Sequence, residues 1–449
     1  MPEACASPAL DRSSLEPYFL QGAKTPDDLQ IGVEWEKIGV RRADGTSIPY
    51  SGPAGVEEIF RRLVARHAWI PVFSGPHIIA LGKEGHSITL EPGGQIELSG
   101  KKSPSLDGNA CELHRHLAEI RGVSEELGIA WLGTGCAPVT DPADIEWVPK
   151  ERYAIMREAL RGPLAHHMMK KTASIQVSVD YTDERDAARK LRLAMALGPV
   201  LTGLFANSPF SGGRLNGFES ERAHIWTGTA PERTGLIPRV FESDFGFRDY
   251  VEYALGVPVL FIVRGERWTS LEGMPFGTFL DRGFRGERAT LADWELHLTT
   301  IFTDARLKHY IEIRGIDCQR TETGLSAPAF IKGIFYDAKA LSEAWDLLAG
   351  IAVEERLRAS AEACRRGLSA TLGGKPLLET ARRLVRIAEQ GLIRMAASNP
   401  ALKNDPLYLQ PLLRIAEEGR SPAGALIDDL SRLEPAERIH AFIRKTCIA

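Results

Sequence analysis

Two short segments rich in carboxylates indicate the chemistry available to this chain. In the first, Glu34 and Glu36 lie two residues apart in an apolar, strand-like run, so both side chains point to the same face of a sheet. In the second, Pro92-Gly-Gly is a turn signal between two β-rich runs, and a hairpin there brings Glu91 and Glu97 together. Four converging carboxylates repel one another strongly unless a cation lies between them. Such oxygen ligands favour Mg²⁺, which commonly accompanies the phosphates of a nucleotide.

Each motif alone is also compatible with a solvated strand face, because charged residues are common on exposed strands and beside turns. The same alternation recurs, however, in two further predicted strands. One contains Gln176 and Asp180, and the other contains Glu312 and Arg314. Four strands with polar groups on one face and apolar residues on the other form a coherent site on a half-buried sheet.

The composition limits the classes of protein to be considered. A chain of 449 residues, 44% of them hydrophobic, can bury a large core as one unit or as two domains. The net charge of −4 and the lack of dense basic runs argue against nucleic acid as a partner. The six cysteines lack zinc-site or redox-motif spacing, so we expect reduced thiols at Cys5, Cys111, Cys136, Cys318, Cys364 and Cys447.

The sequence predicts neither a secretory signal nor a membrane span. The first residues lack a basic region followed by an apolar one. The most apolar window, residues 193–205, is short and interrupted by Gly198-Pro199, which is typical of a buried helix. We therefore expect a soluble, cytoplasmic protein with no membrane partner.

The elements that must position the carboxylates alternate between strands and amphipathic helices. Residues 12–30 are expected to form a polar lead-in. Helical periodicity predicts three early helices, at 55–67, 106–127 and 183–204. His114 and His116 diverge on the second of these helices, and we place both on the surface. From residue 338 onward the pattern is almost purely helical, so the predicted fold class is α+β, a mostly antiparallel sheet followed by a helical C-terminal region.

Several common catalytic motifs are missing from the chain. It has no Gly-x-Ser-x-Gly elbow, no phosphate-binding P-loop and no dinucleotide fingerprint. An irregular stretch, residues 207–238, carries arginines and aromatic residues, and long loops of this kind are usually functional. Many carboxylates and arginines without a nucleophile fit the activation of a carboxylate by ATP, which depends on positioning and charge stabilisation.

The strand motifs resemble those of a known family. The matching segments include Glu34-Trp-Glu-Lys37, Leu90-Glu-Pro-Gly-Gly-Gln-Ile-Glu-Leu-Ser-Gly100, Met168-Met169, Leu204-Phe-Ala-Asn-Ser-Pro-Phe210 and Tyr310-Ile-Glu-Ile-Arg-Gly315. They are similar to plant-type and proteobacterial glutamate–cysteine ligases, within the glutamine-synthetase-like carboxylate–amine ligases. The resemblance covers residues 28–345 well and the remainder loosely.

The resemblance implies a funnel-shaped site on the antiparallel sheet, with ATP and Mg²⁺ bound there. The implied metal ligands are five glutamates, Glu34, Glu36, Glu91, Glu97 and Glu312. Arg314 matches the arginine on the transferred phosphate and is the implied catalytic residue. The implied substrate-binding residues are Arg222, Trp226, Arg233, Gln176, Ser178 and Lys171.

The implied reaction joins glutamate to cysteine through a γ-glutamyl phosphate, the first step of glutathione synthesis. Two positions depart from the family pattern, which has His at Trp35 and Asn at Ser178. Trp35 is expected to pack away from the metal face. Ser178 and the altered segment 316–324 leave open a different amine acceptor, and a non-catalytic homologue is a further alternative.

The resemblance also divides the chain into two parts. We expect a catalytic domain in residues 1–345 and a helical extension, residues 346–449, packed on it. The expected partners are small molecules, namely glutamate, ATP and cysteine or another amine. We expect a monomer or a homodimer.

Overall fold

A nine-stranded sheet forms the centre of the protein in this computed structural model, which describes residues 10–449. The expected thiol Cys5 lies outside the described residues. The strands of this sheet are β1 (Ile31–Arg41), β2 (Ile70–Ser74), β3 (His77–Lys83), β4 (His86–Leu90), β5 (Ile96–Ser99), β6 (Ile129–Leu132), β7 (Ser174–Val179), β8 (Ala305–Leu307) and β9 (Ile311–Asp317).

Strand β1 is the organising strand of the sheet. The order is β8-β9-β7-β1-β5-β4-β3-β2, with β6 paired to the second half of β1, and all these pairs are antiparallel. The predicted hairpin is present as β4 and β5. The register sets Glu36 opposite Glu97 on β5, and Glu34 opposite Gln176 on β7. The strands predicted to carry polar groups are therefore neighbours in one sheet.

The two faces of β1 differ as its period of two predicts. Val33 and Trp35 lie in the hydrophobic core. The side chain of Trp35 therefore packs away from the polar face, as expected. Glu34 and Glu36 point to the opposite face, where the candidate site lies.

The turn between β4 and β5 depends on two glycines. Gly94 has a φ of +84°, a conformation that side chains other than glycine rarely adopt. A Cβ on Gly93 would lie 2.2 Å from the carbonyl oxygen of Lys170, so this turn packs directly against backbone. The turn is thereby held in place, and it carries Glu91 at its start.

Eighteen α-helices surround the sheet within residues 10–449. They are α1 (Leu15–Leu20), α2 (Val56–His67), α3 (Leu106–Ser124), α4 (Glu151–Ala159), α5 (Ala165–Lys171), α6 (Glu184–Ala196), α7 (Gly198–Leu204), α8 (Glu221–Thr227), α9 (Phe247–Gly256), α10 (Phe276–Arg282), α11 (Leu291–Leu298), α12 (Thr321–Phe335), α13 (Ala338–Leu348), α14 (Val353–Arg366), α15 (Leu377–Ser398), α16 (Gln410–Glu418), α17 (Pro422–Ser431) and α18 (Pro435–Thr446).

Short strand pairs connect several of the loops. They are Phe210–Ser211 with Arg214–Leu215, Thr234–Gly235 with Phe302–Thr303, Phe261–Arg264 with Arg267–Ser270, and Thr371–Leu372 with Lys375–Pro376. The pair of Thr234–Gly235 with Phe302–Thr303 is parallel and ties the loop after α8 to the segment before β8.

The C-terminal helices pack onto the rest of the protein through a shared core. Helix α12 packs on β7 and β1 and against α15, while α14 packs on α7 and α8. The main hydrophobic core includes residues from Leu15 to Ala449. The α+β fold with a helical C-terminal region is confirmed, whereas the boundary at residues 345/346 remains a prediction.

Two sequence predictions about the elements are wrong. Residues 12–30 are not simply polar, because α1 buries Leu15, Tyr18 and Phe19 in the core. The helix predicted at 183–204 is divided into α6 and α7 at Leu197. Pro199 lacks a backbone N–H and fits the first turn of a new helix, which explains the break.

The surface placement predicted for both histidines of α3 is correct only for His114. His116 is buried, because α3 lies between α2, β6 and α12 and so has more than one covered face.

The stretch 207–238 is less irregular than predicted, because it contains α8.

Strand β2 forms an edge of the sheet and carries apolar side chains into solvent. Ile70, Val72 and Phe73 are 67%, 49% and 58% exposed.

Within residues 10–449, no helix is both long and apolar enough to span a bilayer. The described cysteines are free thiols, namely Cys111, Cys136, Cys318, Cys364 and Cys447.

Candidate active site

Four of the predicted glutamates line one cavity of about 270 Å³ on the polar face of the sheet. Glu34 and Glu36 come from β1, Glu97 from β5, and Glu91 from the turn between β4 and β5. The period of two on β1 and the hairpin between β4 and β5 bring these side chains together. The convergence expected from the two sequence motifs is therefore present for these four residues.

The glutamates differ in how their oxygens are satisfied. Glu36 accepts hydrogen bonds from the backbone N–H of Ser174 (2.6 Å) and from Nε2 of Gln176 (2.9 Å). Glu97 accepts from the hydroxyls of Thr89 and Ser99, at 2.9 and 3.0 Å. These bonds orient two of the carboxylates from the neighbouring strands β4, β5 and β7.

Burial and mutual repulsion make the ionised forms of these glutamates costly. Burial, followed by the charges of Glu97 and Glu312, raises the pKa of Glu34. Burial and the charges of Glu91 and Glu97 raise the pKa of Glu36 to about 8. The pKa of Glu91 is also raised, by burial and then by Glu97. The ionised forms of Glu34, Glu36 and Glu91 are therefore disfavoured even though cations lie nearby.

Glu312 has a different environment from the other four glutamates. Its carboxylate is fully buried on β9 and is paired with Arg306, with Lys308 (3.1 Å) and with Arg314 (2.7 Å). Although burial opposes ionisation, these three cations lower the pKa of Glu312. Arg314 also donates to the side-chain oxygen of Gln176, so its guanidinium is held between β9 and β7.

The five predicted metal ligands do not form a ready-made metal centre. In residues 10–449, no group of three or more His, Cys, Asp or Glu side chains is arranged to hold a metal ion. Four of the five share a cavity and the fifth is ion-paired beside it, so metal binding by these residues remains a prediction.

Helix α8 supplies another part of the cavity wall. Arg222 and Trp226 both line it, and they are four residues apart on one face of the helix. Arg222 is buried, donates to the carbonyl oxygen of Arg314 (2.8 Å), and lies 3.8 Å from a carboxylate oxygen of Asp317. The indole Nε1 of Trp226 is buried and has no hydrogen-bond partner among the described residues.

Three predicted substrate-binding residues do not line the cavity. Lys171 forms a buried ion pair with Glu221 (3.0 Å), at the start of α8. Arg233 is buried and donates to the carbonyl oxygens of Thr300 (3.1 Å) and Pro258 (2.6 Å). Ser178 lies on β7 opposite Gly32 and Glu312. Gln176, by contrast, lines the cavity.

The sequence analysis missed several cationic residues of the site. Arg152 lines the cavity from α4, and its Nε has no hydrogen-bond partner among the described residues. Lys150 donates to the carbonyl oxygen of Leu90 (3.1 Å), and burial lowers its pKa to about 8. Arg306 on β8 lies opposite Glu312 on β9. Of these three residues, only Arg306 could have been identified from the sequence, because its strand immediately precedes the predicted strand that carries Glu312.

Comparison with characterised proteins places this site in context. The glutamate–cysteine ligase of Medicago truncatula is 37% identical over 428 residues, covering 94% of this chain and 82% of that protein. The enzyme of Arabidopsis thaliana is also 37% identical, with 94% of this chain and 80% of that protein covered. Both relatives are named chloroplastic, so the expected cytoplasmic location is wrong by this comparison. The lack of a secretory signal, on which that expectation depended, does not address plastids.

A solved structure supports the fold. The glutamate–cysteine ligase of Francisella tularensis, determined in complex with AMP, has a TM-score of 0.53 and 13% identity. The match covers 93% of this chain and 88% of that chain. At this identity the likeness concerns the fold alone.

A family model accounts for nearly the whole chain. The model for glutamate-cysteine ligase family 2 (GCS2) matches residues 30–443. This range includes all the predicted site residues and the C-terminal helices as far as α18. The chain therefore belongs to glutamate-cysteine ligase family 2 and is an ATP-dependent ligase.

Proposed function

We propose that the cavity beside β1 joins glutamate to cysteine with ATP, forming γ-glutamylcysteine through a γ-glutamyl phosphate. The observation that carries this proposal is the pairing of opposite charges around one space. Four glutamates line it, Glu34, Glu36, Glu91 and Glu97. Four arginines line it as well, Arg306 and Arg314 from strands β8 and β9, and Arg152 and Arg222 from helices α4 and α8. Such a cavity suits phosphoryl transfer, where metal ions and arginines stabilise the transferred charge.

The donor groups present fit Mg²⁺. Mg²⁺ takes carboxylate oxygens, and the pKa values of Glu34, Glu36 and Glu91 are raised because burial and neighbouring carboxylates outweigh the nearby arginines and lysines. Glu34, Glu36, Glu91 and Glu97 would hold the ion, which would neutralise charge on the ATP phosphates. Glu312, also predicted as a ligand, is already neutralised by three cations and would chiefly hold Arg314.

The substrate glutamate would be held between α8 and α4. Arg222 and Arg152 offer guanidinium groups for its α-carboxylate, and the Nε of Arg152 has no partner among residues 10–449. The unpartnered indole of Trp226 offers a further donor. This arrangement leaves the γ-carboxylate directed toward the phosphate side of the cavity.

The reaction would proceed in two displacements. An oxygen of the γ-carboxylate attacks the terminal phosphorus of ATP, and ADP leaves with the electron pair of the broken P–O bond. Arg314, already fixed by Glu312 and Gln176, stabilises the negative charge on the transferred phosphoryl group. The amine of cysteine then attacks the activated carbonyl carbon and displaces phosphate.

The predicted residues outside the cavity would act indirectly. Lys171 would hold the start of α8 through Glu221, and Arg233 would fix the segments at Thr300 and Pro258. Ser178 would pack beside Glu312 on the sheet. The proposed partners are therefore small molecules, bound by a monomer or a homodimer.

A coupled assay tests the proposed function. ADP release should require glutamate, cysteine and Mg²⁺ together at full rate, and mass spectrometry should identify γ-glutamylcysteine. A panel of other amines at equal concentration tests acceptor choice. A protein that binds ATP but turns over no combination of glutamate and amine would contradict the proposal and favour a non-catalytic homologue.

A further inference from the structure

A second cavity adjoins the one that contains the glutamates. It has a volume of about 310 Å³ and shares four wall residues with the first cavity, Arg222, Trp226, Phe302 and Arg314. Its volume is at the lower end of the range for small-molecule sites. The two cavities therefore meet at Arg314, which is assigned to the transferred phosphoryl group, and at Arg222, which is assigned to glutamate.

Asp304 is the carboxylate of this second cavity. Its backbone is fixed, because its N–H donates to Gly235 (2.9 Å) and its carbonyl accepts from the N–H of Arg314 (3.0 Å). Its side chain lines the cavity, and no group in residues 10–449 hydrogen-bonds or ion-pairs with the carboxylate. Burial raises the pKa of Asp304 to about 6, although Arg222 lowers it.

Asp304 is partly buried, and a carboxylate that is partly removed from water without a partner is destabilised. A cationic ligand in the cavity would offset that cost. The remaining walls offer no competing charge apart from the two shared arginines. They consist mainly of small or apolar groups, among them Thr202, Leu357, Ser360 and Cys364. The cavity therefore suits a small amino acid whose ammonium meets Asp304 and whose side chain is uncharged.

We propose that this second cavity binds the acceptor amino acid, with Asp304 holding its ammonium group and acting as the base for the attack. This inference depends on the proposed function, because it requires a γ-glutamyl phosphate in the adjoining cavity. Arg222 and Trp226, which are assigned to glutamate, lie at the junction and so place the two substrates next to each other.

The proton balance defines the role of Asp304. The ammonium gives one proton to Asp304 and becomes a neutral amine. Its lone pair forms the C–N bond, and the C–O bond to phosphate breaks with its electrons on the phosphate oxygen. The second amine proton passes to the departing phosphate, and Asp304 returns its proton to solvent.

Asp304→Asn tests the assignment, because it keeps the shape but removes the base. The variant should retain slow glutamate-dependent ATP cleavage without acceptor, and its KM for glutamate should stay within about twofold. Its kcat/KM for cysteine should fall about 10²-fold or more. Hydroxylamine, a nucleophile that is uncharged at neutral pH, should restore product formation as γ-glutamyl hydroxamate. The exposed Asp281→Asn is the matched control.

Ser360→Phe tests the cavity without touching Asp304, because it narrows the side formed by α14. It should raise the KM for cysteine at least about fivefold while that for glutamate stays nearly constant. Circular dichroism verifies folding of each variant.

Two results would overturn the assignment while the proposed function stands. One is an Asp304→Asn variant with wild-type kcat/KM for cysteine, and the other is a folded variant that loses the acceptor-independent ATP cleavage as well. A wild-type protein that cleaves no ATP with glutamate and any amine tested would overturn the proposed function and this assignment with it.

Discussion

Arg314 occupies the point where the two cavities and the sheet meet. It pairs with Glu312 on its own strand and donates to Gln176 on β7. Burial lowers its pKa, but Glu312, Glu34 and Glu36 together outweigh burial and raise it. The residue is thus charged and immobile before substrate arrives, which limits the reorganisation needed during the reaction.

Arg314→Ala should reduce kcat by about 10³-fold, because the arginine acts on charge that develops during phosphoryl transfer. The KM for glutamate should change much less. Arg314→Lys should give an intermediate rate, since an ammonium keeps the charge but lacks the planar guanidinium fork. Steady-state kinetics with all three substrates measure both parameters. An Arg314→Ala enzyme with near-normal kcat would contradict this role.

We expect the glutamates of the first cavity to bind Mg²⁺ in the absence of substrate. Mg²⁺ should raise the unfolding free energy by about 2.7 kcal/mol at one hundred times its Kd. Glu91→Gln should gain less from Mg²⁺, yet be no less stable without it, because one repelling charge is gone. Thermal unfolding at constant ionic strength, with Glu266→Gln as the exposed control, measures both effects. Equal gains in all three proteins would argue against this site.

At the level of elements, α8 depends on a contact with α5. Lys171 at the end of α5 pairs with Glu221, which also accepts from Asn216 (3.0 Å). Glu221 lies in the first turn of α8, where a negative charge is also favoured by the helix dipole. This contact sets the position of Arg222 and Trp226 in the cavity.

Lys171→Met should lower the unfolding free energy by about 3 kcal/mol, because it leaves Glu221 without its buried partner. It should also raise the KM for glutamate more than that for ATP. The double variant Lys171→Met/Glu221→Gln should recover part of both losses, which chemical denaturation and kinetics can follow. No recovery in the double variant would instead indicate direct contact of Lys171 with substrate.

The strands of the site could be predicted from sequence, because strand alternation is a local property. Glu34 and Glu36 needed only the period of two, and Glu91 and Glu97 needed only a hairpin turn. The pairing of Glu312 with Arg306 could not be predicted in this way, since it depends on the register between β8 and β9. Arg152 could not be predicted either, because no local pattern shows that α4 faces β1.

At the scale of the whole molecule, the buried His297 makes stability depend on pH. Its Nε2 lies 2.9 Å from the carbonyl oxygen of Ala254, and burial lowers its pKa to about 3. In the native state His297 therefore stays neutral at pH values at which the unfolded chain already binds a proton. The unfolded histidine has its ordinary pKa of about 6.5. Its contribution to stability is full above that pH and is lost as the pH falls toward 3.

Between pH 6.5 and 4, His297 should remove about 1.4 kcal/mol of unfolding free energy for each pH unit. His297→Gln, which can still donate to Ala254, should flatten this part of the pH profile. His114→Gln, at an exposed position of α3, should leave the profile unchanged. Urea unfolding across this range is the measurement, and identical slopes in all three proteins would exclude the effect.

The order of the strands brings together residues that are far apart in the sequence. Residues from 34 to 314 meet in one cavity, and they come from both sides of a long helical stretch. Sequence periodicity predicted strands β1, β4, β5, β7 and β9, helices α2 and α3, and the α+β class. The burial of His116 and the place of Arg233 follow from packing between distant elements, which periodicity does not determine.

The exposed edge strand β2 has a practical consequence for handling the protein. Its unpaired backbone and its exposed Ile70, Val72 and Phe73 offer a template for β-pairing between molecules in concentrated solution. Turbidity should therefore limit the attainable concentration. Phe73→Lys should raise that limit without changing the kinetics, as light scattering during concentration would show. Equal turbidity in both proteins would place the limiting contact elsewhere, while a gain would make the lysine variant the better starting material for crystallisation.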